Sequence, residues 1–299
     1  LLGLAVGDAV GTTVEFKSPG SFEPVTDMTG GGPFELEPGQ WTDDTSMALC
    51  LADSLLEKRG FDARDQMERY VRWWQTGYRS SNGRCFDIGI TISDALKRFE
   101  RSGNPWSGST DPYSAGNGSV MRLAPVVLAY AGSTPSLVVQ MSLDSSLTTH
   151  GTEEAVDACR YFGALISLAL SGQPKEAILS SESALTNAGL RIVDLAPNLG
   201  EVANGPFRSK EPPDIQGSGY VVRSVEAALW AFDRTDDFES GCLAAVNLGD
   251  DADTTAAIYG QIAGAYYGAS GIPKRWLKKL HASAEITEIA DGLQKLSRE

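Results

Sequence analysis

"LGDDADTTAAIYGQIAGAYYG", residues 248–268, joins an acidic corner to an apolar segment whose glycines recur at Gly260, Gly264 and Gly268. A spacing of four places these glycines on one face of a helix. Each glycine inside a helix costs about 1 kcal/mol relative to alanine. A stripe of them over 254–268, flanked by Ala256 and Ala263, therefore predicts a second backbone packed closely against this helix. The segment is expected at the centre of the fold.

The helical pattern continues on either side. In "TSMALCLADSLLEKRG" (45–60), Met47, Ala48, Leu51, Ala52 and Leu55 form one apolar stripe, with Lys58 and Arg59 in the last turn and Gly60 as the stop. "DARDQMERYVRWWQTGY" (62–78) is amphipathic, and "DIGITISDALKRFERSG" (87–103) again closes on basic residues and glycine. "SVMRLAPVVLAYAG" (119–132), "GTEEAVDACRYFGALISLALSG" (151–172) and "SVEAALWAFDRT" (224–235) follow the same pattern. The start, "LLGLAVGDAVG" (1–11), lacks the basic region of a secretory leader and is expected as a buried helix. Alternating strand patterns are scarce, so the fold class is all-α.

The 299 residues, 42% of them hydrophobic and 21% charged, suffice for a sizeable core. One domain spanning 1–299 is the simpler organisation, because two matching acidic motifs lie at opposite ends of the chain. The net charge of −14 repels phosphate backbones and anionic lipid, which argues against nucleic-acid or membrane-surface partners. No run is long enough to span a membrane. Cys50, Cys85, Cys159 and Cys242 are scattered, without a C-x-x-C pair, which suggests reduced thiols in a cytoplasmic protein. A monomer is expected. Three irregular stretches, 17–40, 76–86 and 200–219, interrupt the helices and are long enough to suggest functional loops.

"GQWTDDTSMALCLADSL" (39–55) repeats the grammar of the acidic corner, with Thr42, Asp43, Asp44 and Thr45 just before an apolar run. A threonine or aspartate there can simply cap a helix. In "DDADT" capping is a weaker account, since one side chain suffices and three carboxylates repel one another. Asp251 and Asp253 would not share a face inside a regular helix, but a turn leading into one lets them converge. Converging carboxylates and threonine oxygens suit a hard divalent cation, and two such corners suit two. Asp8, inside the apolar first helix, needs a partner or lines a polar site together with Glu15.

Six stretches then occur in order: "GDAVGTTVEF", "GQWTDDTSMAL", "GNGSVMRLAPV", "TTHG", "GYVVRSVEAALWAF" and "NLGDDADTTAAIYGQIAGAYYG". Together, over essentially the whole chain, they resemble the ADP-ribosylglycohydrolase family. The resemblance implies an all-α fold with a cleft holding two Mg²⁺ or Mn²⁺ ions. It implies Thr42, Asp43, Asp44, Asp251, Asp253 and Thr254 as metal ligands and Glu15, Asp44 and Asp87 as catalytic carboxylates. Gly116, Asn117, Gly118, Ser119, His150 and Tyr220 would contact the ADP-ribose. Asp87, in "RCFDIG" (84–89), matches the carboxylate of the arginine-directed members.

Each of these residues also has a plainer reading. "GNG" is an ordinary turn, a lone His is often a cap or core partner, Tyr220 suits a core, and Asp87 could cap a helix starting at Ile88. Asp250 is expected beside the site or in solvent, and His281 on the surface.

The expected activity is metal-dependent hydrolysis of the glycosidic bond at C1″ of an ADP-ribosylated protein or small conjugate, with arginine the favoured linkage. Serine or other ADP-ribose linkages and a non-catalytic binding relative are the alternatives. Diphosphate chemistry of the terpenoid-synthase kind fits poorly, since the acids precede helices and no D-D-x-x-D occurs.

Overall fold

The computed structural model describes residues 1–180, 182, 185, 186 and 188–299. Its helices are α1 (Leu2–Gly11), α2 (Asp43–Lys58), α3 (Ala63–Thr76), α4 (Ile90–Ser102), α5 (Ala124–Ala129), α6 (Pro135–Leu147) and α7 (Glu153–Leu170). There follow α8 (Lys175–Leu179), α9 (Pro197–Ala203), α10 (Val221–Arg234), α11 (Phe238–Val246), α12 (Ala252–Gly271), α13 (Lys274–Lys279) and α14 (Ser283–Leu296). Among the described residues, β pairing is limited to isolated bridges: Gly31 with Leu36, Ser109 with His150, and Gly116 with Tyr220. The fold is all-α. Among the described residues no helix is long and apolar enough to cross a membrane.

The glycine stripe explains the centre of the molecule. A Cβ on Gly260 would sit 2.0 Å from the Gly3 carbonyl oxygen, and one on Gly264 would sit 3.2 Å from the Gly3 Cα. The partner is α1, which carries its own stripe. Cβ atoms on Gly3 and Gly7 would each lie 2.1 Å from a carbonyl oxygen of α12, those of Gly260 and Ala256, and one on Gly11 would lie 2.4 Å from the Asp253 Cα. Only glycine permits backbones this close. The order of contacts makes the two helices antiparallel, so the end of α1 meets the start of α12. Gly268 serves differently. It adopts φ 70° and breaks α12, with no other backbone close to its Cβ position.

The remaining helices wrap this pair. α11 and α10 pack on α12, α6 on α7, α3 on α2, and α14 on α2 and α5. Residues 252–263 of α12 are wholly buried, as are all of α1 except Leu2. Cys50 and Cys159 are buried free thiols, and Cys85 and Cys242 are also free.

Several boundaries differ from expectation. α2 is capped by Arg59 in the left-handed region (φ 56°) rather than by Gly60. The helix expected over 119–132 shrinks to Ala124–Ala129 because residues 119–122 form turns that shape the site. α4 starts at Ile90, with Gly89 as its cap, so Asp87 is not a helix cap.

Candidate active site

Glycine packing between α1 and α12 sets the site. At the end of α1 the chain turns through Thr12–Val14 and delivers Glu15, whose Oε2 accepts the backbone N–H groups of Ala252 (2.8 Å) and Asp253 (3.2 Å). A residue far away in sequence therefore caps α12, which frees the acids of that corner. Asp251, at the cap position, makes no side-chain cap bond.

The other corner is held by Asp8. Its two carboxylate oxygens accept both the backbone N–H and the hydroxyl of Thr42 (2.8 and 2.9 Å) and of Thr45 (3.0 and 2.6 Å). This buried acid thus finds its partners in the first turn of α2. The capping explanation of Thr42 fails, because its hydroxyl does not reach the helix N–H groups. Instead Thr42 Oγ1 lies within hydrogen-bond distance of Asp8 Oδ1 (2.9 Å), Asp44 Oδ2 (3.2 Å) and Asp253 Oδ2 (3.0 Å).

One hydroxyl proton cannot satisfy three carboxylate oxygens. Asp44 Oδ1 is buried with no hydrogen-bond partner at all. Two trios of carboxylates, Asp8–Asp44–Asp253 and Glu15–Asp251–Asp253, bring oxygens within 4.8 Å of one another. Oxygen-only donors with an orphaned buried lone pair fit a hard divalent cation. Asp253 belongs to both trios and Asp43 to neither.

A cavity of about 480 Å³ opens above these acids. Glu15, Asp43, Asp87, Asp251, Asp253 and Thr254 line it, together with Gly116, Asn117, Gly118 and His150. Thr42 and Asp44 lie fully buried beneath its floor, and Thr254 Oγ1 reaches down to Asp44 Oδ2 at 3.3 Å. A second cavity of about 930 Å³ adjoins it across Gly116 and Gly219 and is lined by Tyr220, Asn198, Glu154 and Tyr113. Tyr220 is no core residue. Its hydroxyl donates to Glu154 Oε1 at 2.6 Å and accepts from Asn198 Nδ2 at 3.1 Å.

Burial dominates the electrostatics, and crowding of like charges adds to it. Burial, reinforced by neighbouring carboxylates, pushes Asp43, Asp44 and Asp253 well above the usual carboxylate range. Burial, with the charge of Asp251, raises Glu15 to about 8 and Asp87 to about 7. Asp87 also sits in the left-handed backbone region, with φ 60°, as active-site residues under strain do.

The glycine loop contributes a side chain more than backbone donors. Asn117 Nδ2 donates to Asp251 Oδ2 (2.7 Å), and the N–H groups of Gly116 and Asn117 are taken by Ser114 and Gly219 carbonyls. Ser119 turns away from the cavity, towards Ser146 and Cys159. His150 faces Gly116 and Gly118, and a Cβ on Gly118 would lie 2.9 Å from its Cε1. Asp250, with φ 52°, is half-buried beside the corner. His281 is exposed, its ring 5.2 Å from that of Trp41.

Arg122 and Thr149 went unread in the sequence. Arg122 is fully buried and, among the described residues, has no carboxylate partner. Its Nη1 donates to the Gly118 carbonyl (2.6 Å), its Nη2 to Thr149 Oγ1 (2.7 Å), and its guanidinium lies 4.7 Å from the Tyr70 ring centroid. Thr149 Oγ1 stands 2.8 Å from His150 Nδ1. Having accepted from Arg122, the hydroxyl satisfies its own proton by donating to Nδ1. Burial, then the Arg122 charge, lowers His150 to about 3, so the ring is neutral and carries its proton on Nε2, at the cavity. A lone arginine in the apolar run "VMRLAPVV" (120–127) was the available signal.

A family model described as ADP-ribosylglycohydrolase matches residues 1–299. The chain is 45% identical over 293 residues to the ADP-ribosylarginine hydrolase Tri1 of Pseudomonas putida (strain GB-1), covering 98% of this chain and 76% of the relative. It is 35% identical over 291 residues to the ADP-ribosyl-[dinitrogen reductase] glycohydrolase of Rhodospirillum rubrum, covering 95% and 90%. A solved structure titled ADP-ribosylglycohydrolase-related protein complex superposes with a TM-score of 0.86 at 47% identity, covering 99% of this chain and 95% of that one.

Proposed function

The chain belongs to the ADP-ribosylglycohydrolase family, and from that premise we propose that it removes ADP-ribose from arginine side chains of modified proteins. The observation that carries the reading is the position of Asp87, in the same cavity as the carboxylates of both acidic corners and beside a second cavity large enough for a nucleotide. The 45% identity to a relative named for the arginine linkage supports the choice of leaving group.

Thr42, Asp43, Asp44, Asp251, Asp253 and Thr254, with the carboxylates of Asp8 and Glu15 close by, would hold two Mg²⁺ or Mn²⁺ ions. Ions bound there would neutralise the acids and supply Lewis acidity towards the ribose hydroxyls. The protein's own groups do the rest. Neutral His150 presents its Nε2–H, and the small glycines at 116 and 118 let the ligand approach. Tyr220 borders the room for the nucleotide.

Hydrolysis breaks the bond between C1″ and the guanidinium nitrogen. Water supplies the hydroxyl at C1″, and its proton ends on the departing guanidine. Asp87, in the same cavity, is suited to hold the guanidinium and to take part in that proton transfer.

The test compares kcat/KM for ADP-ribosyl-arginine and ADP-ribosyl-serine peptides in wild type and Asp87→Ala, with Mn²⁺ and with EDTA. The expected result is an arginine preference that EDTA abolishes and Asp87→Ala reduces by about 10²-fold or more. Equal turnover of both linkages by wild type, or full arginine activity in Asp87→Ala, would refute the assignment.

A further inference from the structure

Beside the carboxylates stands an aromatic group that the mechanism above does not use. Phe16 follows Glu15, lines the cavity and is 65% exposed. Its ring meets Phe34 edge-on (centroids 6.2 Å apart, 75°), and Phe34 meets Phe86 at 5.1 Å. Phe86 directly precedes Asp87. Three separate segments thus supply one aromatic group, next to the carboxylates of Glu15 and Asp87.

The arrangement is built rather than incidental. Phe16 adopts φ 61°, a region bulky residues rarely enter. It is pinned there by a backbone pair: Phe16 N–H donates to Asp250 O and Asp250 N–H to Lys17 O, each at 2.8 Å. Phe34 rides a turn closed by reciprocal hydrogen bonds between Gly31 and Leu36, of 2.7 and 3.0 Å. Gly32 seats that turn, with φ 67° and the Thr12 carbonyl oxygen 1.9 Å from its Cβ position. An exposed ring held in a strained backbone adds little to the core, and such strain gathers where a ligand is handled.

Charge identifies the ligand. Five carboxylates line the cavity, and no lysine or arginine is among its described lining residues. The nucleotide has its own room across Gly116 and Gly219. A planar, weakly hydrated cation entering on the Phe16 side meets carboxylates at the base and an aromatic ring at the wall, the pairing a guanidinium favours.

We propose that Phe16, buttressed by Phe34 and Phe86, is the wall of a guanidinium subsite that selects the arginine leaving group. This rests on the arginine-linkage reading given above. The wall binds the cation and leaves the hydrolytic step to the carboxylates.

The experiment measures KM and kcat for an ADP-ribosyl-arginine peptide, Ki for an ADP-ribosyl-serine peptide as competitor, and Kd for ADP-ribose, all with Mn²⁺. Phe16→Leu keeps the apolar bulk but removes the π face, and Phe16→Trp restores it. The expected result is an arginine KM raised about 3- to 30-fold in Phe16→Leu, the range of a cation–π contact. Its serine-peptide Ki and ADP-ribose Kd stay unchanged, and Phe16→Trp recovers the wild-type KM. Phe34→Leu, which leaves the strained position alone, gives the same pattern at smaller amplitude and serves if Phe16→Leu does not fold. An unchanged arginine KM, or equal losses in arginine, serine and ADP-ribose binding, overturns the subsite while the arginine-linkage reading stands. Failure of wild type to cleave the arginine linkage overturns both.

Discussion

Replacing Gly7 by alanine tests whether the contact between α1 and α12 builds the active site. The new Cβ would lie 2.1 Å from the Ala256 carbonyl oxygen, 2.5 Å from its carbon and 2.9 Å from Ala257 N. An ordinary carbon–oxygen contact is about 3.3 Å, so the oxygen contact alone is short by about 1.2 Å. Every clashing atom is backbone, so no side chain can rotate away and the helices must part. Exchanging glycine for alanine within a helix returns about 1 kcal/mol, whereas overpacking costs about 1–3 kcal/mol. A backbone clash belongs at the upper end, so the net loss is about 1–2 kcal/mol. For a chain of this size that is a fall in Tm of about 2–3 °C.

Activity should suffer more than stability. Gly7 precedes Asp8, which holds Thr42 and Thr45, and Gly11 of the same helix abuts Asp253. A shift of about 1 Å between the two acidic corners costs up to about 10²-fold in turnover. Gly264→Ala is the graded comparison. Its Cβ would approach the Gly3 Cα to 3.2 Å, a few tenths of an ångström too close rather than more than an ångström, so its losses of stability and activity should be smaller than those of Gly7→Ala. Thermal melts by circular dichroism and hydrolysis rates with Mn²⁺ read both effects. A Gly7→Ala protein as stable and active as wild type would refute the reasoning.

Asp253→Asn removes the one acid shared by both carboxylate trios, so kcat/KM should drop by at least about 10²-fold. Relief of like-charge repulsion should leave the metal-free Tm unchanged or raised, and near-normal turnover at saturating Mn²⁺ would show that Asp253 is dispensable. Thr149→Val breaks the link from Arg122 to His150 and leaves a buried donor unmatched, which should raise KM by about 10-fold. Nitrogen NMR of His150 should then show loss of the single Nε2–H tautomer, and an unaltered His150 spectrum would reject the role given to Thr149.

The sequence by itself determined the helical class and the two acidic corners. Periodicity of 3.6 and glycine stops are local properties, and the stripe at Gly260 and Gly264 foretold a backbone neighbour. Ligand chemistry was also legible, since Thr42, Asp43, Asp44, Asp251, Asp253 and Thr254 announce an oxygen-rich corner by type alone. Tertiary structure decided what those residues face. That Asp8 rather than solvent holds Thr42, and that Glu15 caps α12, follows from the antiparallel seating of α1, which no local pattern encodes. The divergence of Ser119 from nearby Asn117 depends on a turn, and the Arg122–Thr149–His150 chain joins two turns separated by α5 and α6. Phe16, Phe34 and Phe86 look like unrelated loop residues until three segments converge. Contacts between distant segments depend on how helices pack. A sequence states its local preferences directly, but it encodes those meetings only through the whole fold.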